Sequence, residues 1–225
     1  EEALLDAGFF PAQIYVDCRF SELAEGGATL QCQVDAECDA GRAPRALVDA
    51  PRAVRGNWWA RLARREAVAV TAFEELAREL ATLRAPRDLM RRAEAAREDE
   101  RRHTLICARA ARIVPPRPPA MKITECDPVA FAVLNASEGC IRETFAVVDA
   151  IARARRTANR KARATLEAIA TDELRHAQLS WDIDAWARAN LGELAREQAA
   201  RAKRRAARQL LARAERPESV DCPTP

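Results

Sequence analysis

The chain contains two histidines, and both close the same five-residue pattern. Asp99-Glu100-Arg101-Arg102-His103 is matched by Asp172-Glu173-Leu174-Arg175-His176. A glutamate precedes each pattern at nearly equal distance: Glu66 lies 34 positions before Glu100, and Glu138 lies 35 before Glu173. The surroundings of those glutamates also match, Glu66-Ala-Val-Ala-Val-Thr-Ala-Phe73 against Glu138-Gly-Cys-Ile-Arg-Glu-Thr-Phe145. A single Glu-x-x-His on a charged helix is commonplace. Two in register, each trailing a glutamate at the same spacing, specify a site.

The chemistry such a site can do is metal binding. Residues three apart on a helix share a face, so Glu100 and His103 point at one spot, as do Glu173 and His176. Glu66 and Glu138 then come from the preceding antiparallel helices. Four buried carboxylates without cations would each cost several kcal/mol. Two divalent ions neutralise four carboxylates, with two imidazoles completing the ligand set Glu66, Glu100, His103, Glu138, Glu173 and His176.

The elements that must position these residues are helices. Alanine and leucine are abundant, glycine is scarce (7 residues), aromatics reach 5% and charged residues 32%, which is the profile of a helical chain. Periodicity predicts helices over 57–83, 87–113, 128–156 and 160–189, with a fifth over 192–215. Short breaks join the first to the second and the third to the fourth, so the chain reads as two hairpins. The proline-rich run from Val114 to Lys122 cannot be helical. Its extended length permits a long crossover between the hairpins. Residues 1–52 read as an irregular arm with strand-like runs near Ile14–Val16 and Thr29–Val34, residues 53–216 as the bundle, and 217–225 as a tail.

This ligand set and its duplication resemble the ferritin-like superfamily, which includes rubrerythrins, bacterioferritins and the small subunit of ribonucleotide reductase. The resemblance covers about 57–189. It implies an all-α, ferritin-like four-helix bundle with a fifth C-terminal helix and an irregular N-terminal arm. It implies two iron ions, with manganese as the alternative, and a reaction with dioxygen or peroxide; an iron-handling ferroxidase and a di-manganese catalase are the other readings. By resemblance Glu100 and Glu173 bridge the two ions, Glu66 and Glu138 are terminal ligands, and Asp99 and Asp172 hold the histidines in their ligating tautomer. It also allows a homo-oligomer. No CxxC pair is present, so a separate electron donor is expected. The only tyrosine, Tyr15, lies in the arm, which disfavours a tyrosyl radical, and Arg101 stands where a haem-binding methionine would be expected.

Other residues read as structural. Glu143, five past Glu138, falls off the ligand face, and Glu74 and Glu75 read as solvated. Trp59 reads as core, and Cys107, Cys140 and Ser180 as sites of close helix packing. The basic run Arg201–Arg208 reads as the solvated face of a docked helix, with Leu194, Leu210 and Leu211 available to pack. A net charge of +3 on 37 cations and 34 anions gives no warrant for nucleic acid or a membrane surface as partner, and no run is apolar enough for a membrane span. Seven cysteines leave a cytoplasmic and an exported protein equally open.

Overall fold

A computed structural model describes residues 16–23, 27–34, 41–45, 47 and 57–214. Six α-helices carry most of them: α1 (Trp58–Thr82), α2 (Arg87–Ala111), α3 (Pro128–Leu134), α4 (Thr144–Arg156), α5 (Arg160–Asn190) and α6 (Gly192–Ala214). A π-helical segment, Asn135–Glu143, runs between α3 and α4, so the expected third helix is one continuous rod with a wider turn at its centre. In the arm, β1 (Val16–Leu23) and β2 (Gly27–Val34) form an antiparallel hairpin in which Cys18 is paired with Cys32. Tyr15, Cys38, Cys222 and the expected tail 217–225 lie outside the described residues.

The helix ends follow local chemistry. Asn57 caps α1 by accepting from the Ala60 N–H at 3.0 Å, and Asn159 caps α5 in the same way. α1 stops where Arg84 takes a left-handed conformation (φ 54°) and the Ala85 N–H bonds back to the Leu80 carbonyl. Pro86 then starts α2. Asp127 caps α3, with Pro128 in the first turn where its missing N–H costs nothing.

The proline-rich linker lies against α1: Thr71 Oγ1 donates to the Pro119 carbonyl at 2.7 Å, and Met121 forms a β-bridge with Leu47. It therefore runs back up the side of α1 and delivers the chain to α3 at the far end. α1 packs on α2, α4 on α5, and α2 on α5.

Two apolar clusters fill the interior. One gathers Trp58, Leu62, Cys107, Ala154, Leu166 and Ile169. The other gathers Phe73, Leu76, Leu80, Leu89, Phe131, Leu179 and Ile183. Burying each such large side chain stabilises the fold by about 1.5–3 kcal/mol. Along α1, α2 and α5 the polar positions 66, 100, 103, 173 and 176 fall between these clusters. The site is thus a polar layer held between two dry ones.

α6 packs on α3 and the π-helical segment, but not through leucine. Leu194 and Leu211 are exposed, and the contact is made by Ala195, Ala199 and Ala202 against Ala132 and Ala136. Alanine allows the helices to approach closely enough for Lys203 Nζ to reach both oxygens of buried Asp184 at 2.7 Å. One member of the expected solvated basic face is therefore an anchor.

Candidate metal centre

The structure brings Glu66, Glu100, His103 and Glu173 together so that one ligand atom from each lies within 4.8 Å of the others. Glu143, Glu173 and His176 form a second such group. All six side chains are buried, none more than 6% exposed. Glu100 and Glu173 sit between the two imidazoles. Glu100 places Oε2 at 3.5 Å from His103 Nδ1 and Oε1 at 3.1 Å from His176 Nδ1. Glu173 places Oε1 at 3.7 Å from His103 Nδ1 and Oε2 at 3.6 Å from His176 Nδ1. Glu66 stands beside His103, at 3.8 Å.

Glu138 is in neither group. Its carboxylate pairs with Arg142 Nε at 3.1 Å, and Glu143 is found where Glu138 was expected. The π-helical segment is the reason. Five residues span about 140° beyond a full turn of an α-helix, which would turn Glu143 away; the i→i+5 pattern of a π-turn brings it nearly onto the face of Glu138, so Glu143 reaches the cluster from one turn further along while Glu138 pairs with Arg142. Glu143 is fully buried as a result, and Glu75 is also buried, accepting from the Arg45 N–H at 2.9 Å; of the three glutamates read as solvated, only Glu74 is exposed.

The atoms that face inward lack hydrogen-bond partners. Nδ1 of both histidines, Oε2 of Glu100 and of Glu173, and both oxygens of Glu143 are buried without one. Buried polar atoms are nearly always satisfied. Six converging exceptions, all of them nitrogen or carboxylate oxygen, fit a pair of divalent cations. The donors are hard oxygens with two imidazoles, a set that divalent metal ions accept.

The outward nitrogens are held. His103 Nε2 meets Asp172 Oδ2 at 3.0 Å, and His176 Nε2 meets Asp99 Oδ2 at 3.2 Å. Each aspartate therefore serves the histidine of the other hairpin. Arg102 and Arg175 each reach both aspartates, closing the lattice at the surface. Burial alone would raise the Asp99 carboxyl, but hydrogen bonds from His176 and Arg102 outweigh it and hold the group well below the usual carboxylate range. Asp172 is lowered in the same way by His103 and Arg102. An aspartate kept ionised against Nε2–H leaves Nδ1 free to ligate. Asp99→Asn and Asp172→Asn are accordingly expected to weaken metal binding roughly 10–100-fold, read by competition titration with a chromophoric chelator, with the helical circular dichroism unchanged.

No family model, curated protein or solved structure matches the chain. The site is therefore read from its own geometry.

Arg42, from the arm, completes its surroundings. It is 4% exposed, donates from Nη2 to Asn135 Oδ1 at 2.6 Å, and lies over the Phe73 ring, which packs edge-on against His176. Burial lowers its pKa, against the attraction of Glu143 and Glu138. Gly139 makes room for it: a Cβ there would lie 2.5 Å from Arg42 Nη2 and 2.8 Å from both Asn135 Oδ1 and Ser180 Oγ. Gly139→Ala is expected to destabilise the protein by about 1–3 kcal/mol through overpacking, measured by urea denaturation.

The sequence reading missed three groups. Arg102 and Arg175 were visible as the repeated Asp-x-x-Arg inside both patterns. Glu143 had a weaker signal, the glycine in mid-helix at 139. Arg42 had none. Cys107, Cys140 and Ser180 are closely packed, as expected: Cys140 Sγ contacts the Ser180 carbonyl at 3.5 Å, and burial pushes its thiol up to about 12. Trp59 packs edge-on against Trp58 at the rim of the apolar cluster.

Proposed function

We propose that the protein is a di-iron carboxylate protein with a ferritin-like four-helix bundle, acting as an oxidoreductase on dioxygen or peroxide. The observation that carries this reading is the convergence of six buried, unpartnered ligand atoms in two groups that share Glu173. The up-and-back path of the linker beside α1 supports the bundle topology.

Glu66, Glu100 and His103 would hold one ion and Glu143 and His176 the other, with Glu173 common to both groups. When bound, the pair of ions supplies two one-electron redox centres side by side. The chain's part is to orient and to exclude. Asp172 and Asp99 fix the imidazoles, so Nδ1 is presented as a lone pair. The apolar clusters above and below leave the ligand side chains almost wholly buried, which strengthens every charge interaction among them. Carboxylates offer one or two oxygens, so the same four can match different ionic charges without moving the helices.

The test is metal content of purified protein by plasma mass spectrometry, then anaerobic Fe(II) loading and exposure to oxygen with optical monitoring. Two irons per chain, with near-ultraviolet absorption growing on oxidation, is the expected result. Two manganese ions would move the reading to peroxide disproportionation, and failure to bind either metal would refute it.

A further inference from the structure

A partly open cleft lies between α1, α4 and α5, and the carboxylates of Glu66 and Glu173 form part of its lining. At its other side the Arg153 Nε bonds Asp149 at 2.7 Å while the guanidinium stacks over Trp58 at 4.9 Å, which fixes that margin. The wall between these polar ends is apolar: Leu62 from α1, Leu166 and Ile169 from α5, and Ala146 and Ala150 from α4.

Size and polarity together select what can use it. The cleft leaves about 20 Å³ for the centre of a water-sized molecule, where one water needs about 10–15 Å³. A molecule of two heavy atoms fits; a ring or an alkyl chain does not. Along the leucine, isoleucine and alanine wall an apolar diatomic loses nothing, whereas a hydrogen-bonding solute keeps partners only at the charged margins, Arg65, Glu66 and Glu173 among them. Ala146 and Ala150 are one turn apart on the same face of α4, so any longer side chain at either position projects into the space.

We propose that this cleft is the passage through which dioxygen reaches the ligand cluster, and that Ala146 and Ala150 set its bore. What the passage serves rests on the di-iron reading; its existence does not. It favours dioxygen within that reading, since a bulky organic substrate does not fit this cleft.

The decisive measurement uses the metal-free protein under oxygen pressure, with methyl-resolved NMR. Dissolved dioxygen is paramagnetic, so methyl groups it visits relax faster. The methyls of Leu62, Leu166 and Ile169 are expected to be enhanced several-fold over those of Leu80, Leu179 and Ile183 in the other cluster, with Leu166 and Leu179, both 1% exposed, as the pair matched in burial. Ala150→Leu is expected to abolish the excess, and Ala146→Val to reduce it with less demand on packing. In the iron-loaded protein, Ala150→Leu should slow the reaction with dioxygen several-fold while iron affinity by titration stays unchanged. Equal enhancement of the two sets of methyls in the unmodified protein would overturn the passage. If the unmodified protein bound no metal, the di-iron reading would fail while the NMR comparison still decided the passage.

Discussion

Glu143→Gln is expected to cost the proposed centre one of its two metal ions and, at the same time, to make the metal-free form harder to unfold. Both effects follow from one fact: the Glu143 carboxylate is wholly buried, and neither oxygen has a hydrogen-bond partner. Burial, with Glu173 beside it, holds its pKa well above the ordinary value, against the opposing pull of His176. In the absence of a cation such a group is a liability of about 1–3 kcal/mol, and the amide relieves it by carrying no charge and by donating to the Glu173 carboxylate beside it. A gain of that size raises Tm by about 2–4 °C for each kcal/mol in a chain of this length. The metal loss is the larger effect, since His176 and the shared Glu173 cannot hold an ion by themselves. The control is Glu138→Gln. Glu138 is partly exposed and paired with Arg142, so its loss should cost at most about 1 kcal/mol and leave two ions bound. Plasma mass spectrometry after loading, and calorimetric unfolding of the metal-free variants, read both effects. If Glu138→Gln loses an ion and Glu143→Gln does not, the wide turn does not set the ligand register.

Metal loading is expected to release protons, and affinity to rise steeply with pH. In the metal-free protein the cluster's negative charge is balanced by protons. Burial pulls the His103 imidazole down, but the Glu100 and Glu66 carboxylates overcome it and push the group up to about 11. His176 is raised for the same reason, against burial, by Asp99 and Glu100. Burial and the neighbouring Glu66 raise Glu100, as burial raises Glu143. At neutral pH both histidines are therefore cationic without metal, and each must lose its Nδ1 proton to ligate. Apparent affinity should rise about tenfold per pH unit for each proton released per ion. Calorimetric titration in buffers of different ionisation enthalpy counts the protons directly. Stability has the matching sign. The proton on His103 is bound more tightly folded than unfolded, so its contribution to the metal-free protein is complete below about pH 6.5 and is lost as pH rises through about 11. Loaded protein should lack this slope, and a pH-independent affinity would refute the arrangement.

How much of this was legible in the sequence depended on where periodicity holds. The five helices stand within a few residues of their expected limits because Asn57, Pro86, Asp127 and Asn159 are strong local signals at their starts. Five of the six converging residues were readable because α1, α2 and α5 are regular, so spacing translates directly into direction. The sixth failed where the helix is not regular: matching Glu138 to Glu66 assumed the same pitch in both halves, and Asn135–Glu143 breaks it. The exchange of aspartates between hairpins was hidden for another reason. Each Asp precedes its own motif in sequence, and only the antiparallel packing of α2 on α5 shows that it faces the other one. Arg42 was invisible, since nothing in a glycine- and proline-containing arm announces a residue that will be buried a hundred positions away in the chain.

The crossed pairing of Asp99 with His176 and Asp172 with His103 bears on how such a protein can have arisen. Neither hairpin orients its own imidazole, so one hairpin in isolation has an incomplete centre however well it folds. Two copies of a single hairpin, related by a twofold axis, would supply each other with the missing aspartate by the symmetry of the contact. A chain that joins two such hairpins through a linker keeps both contacts while its halves are free to differ. The wide turn beside Glu143, present in one half among the described residues, is one such difference.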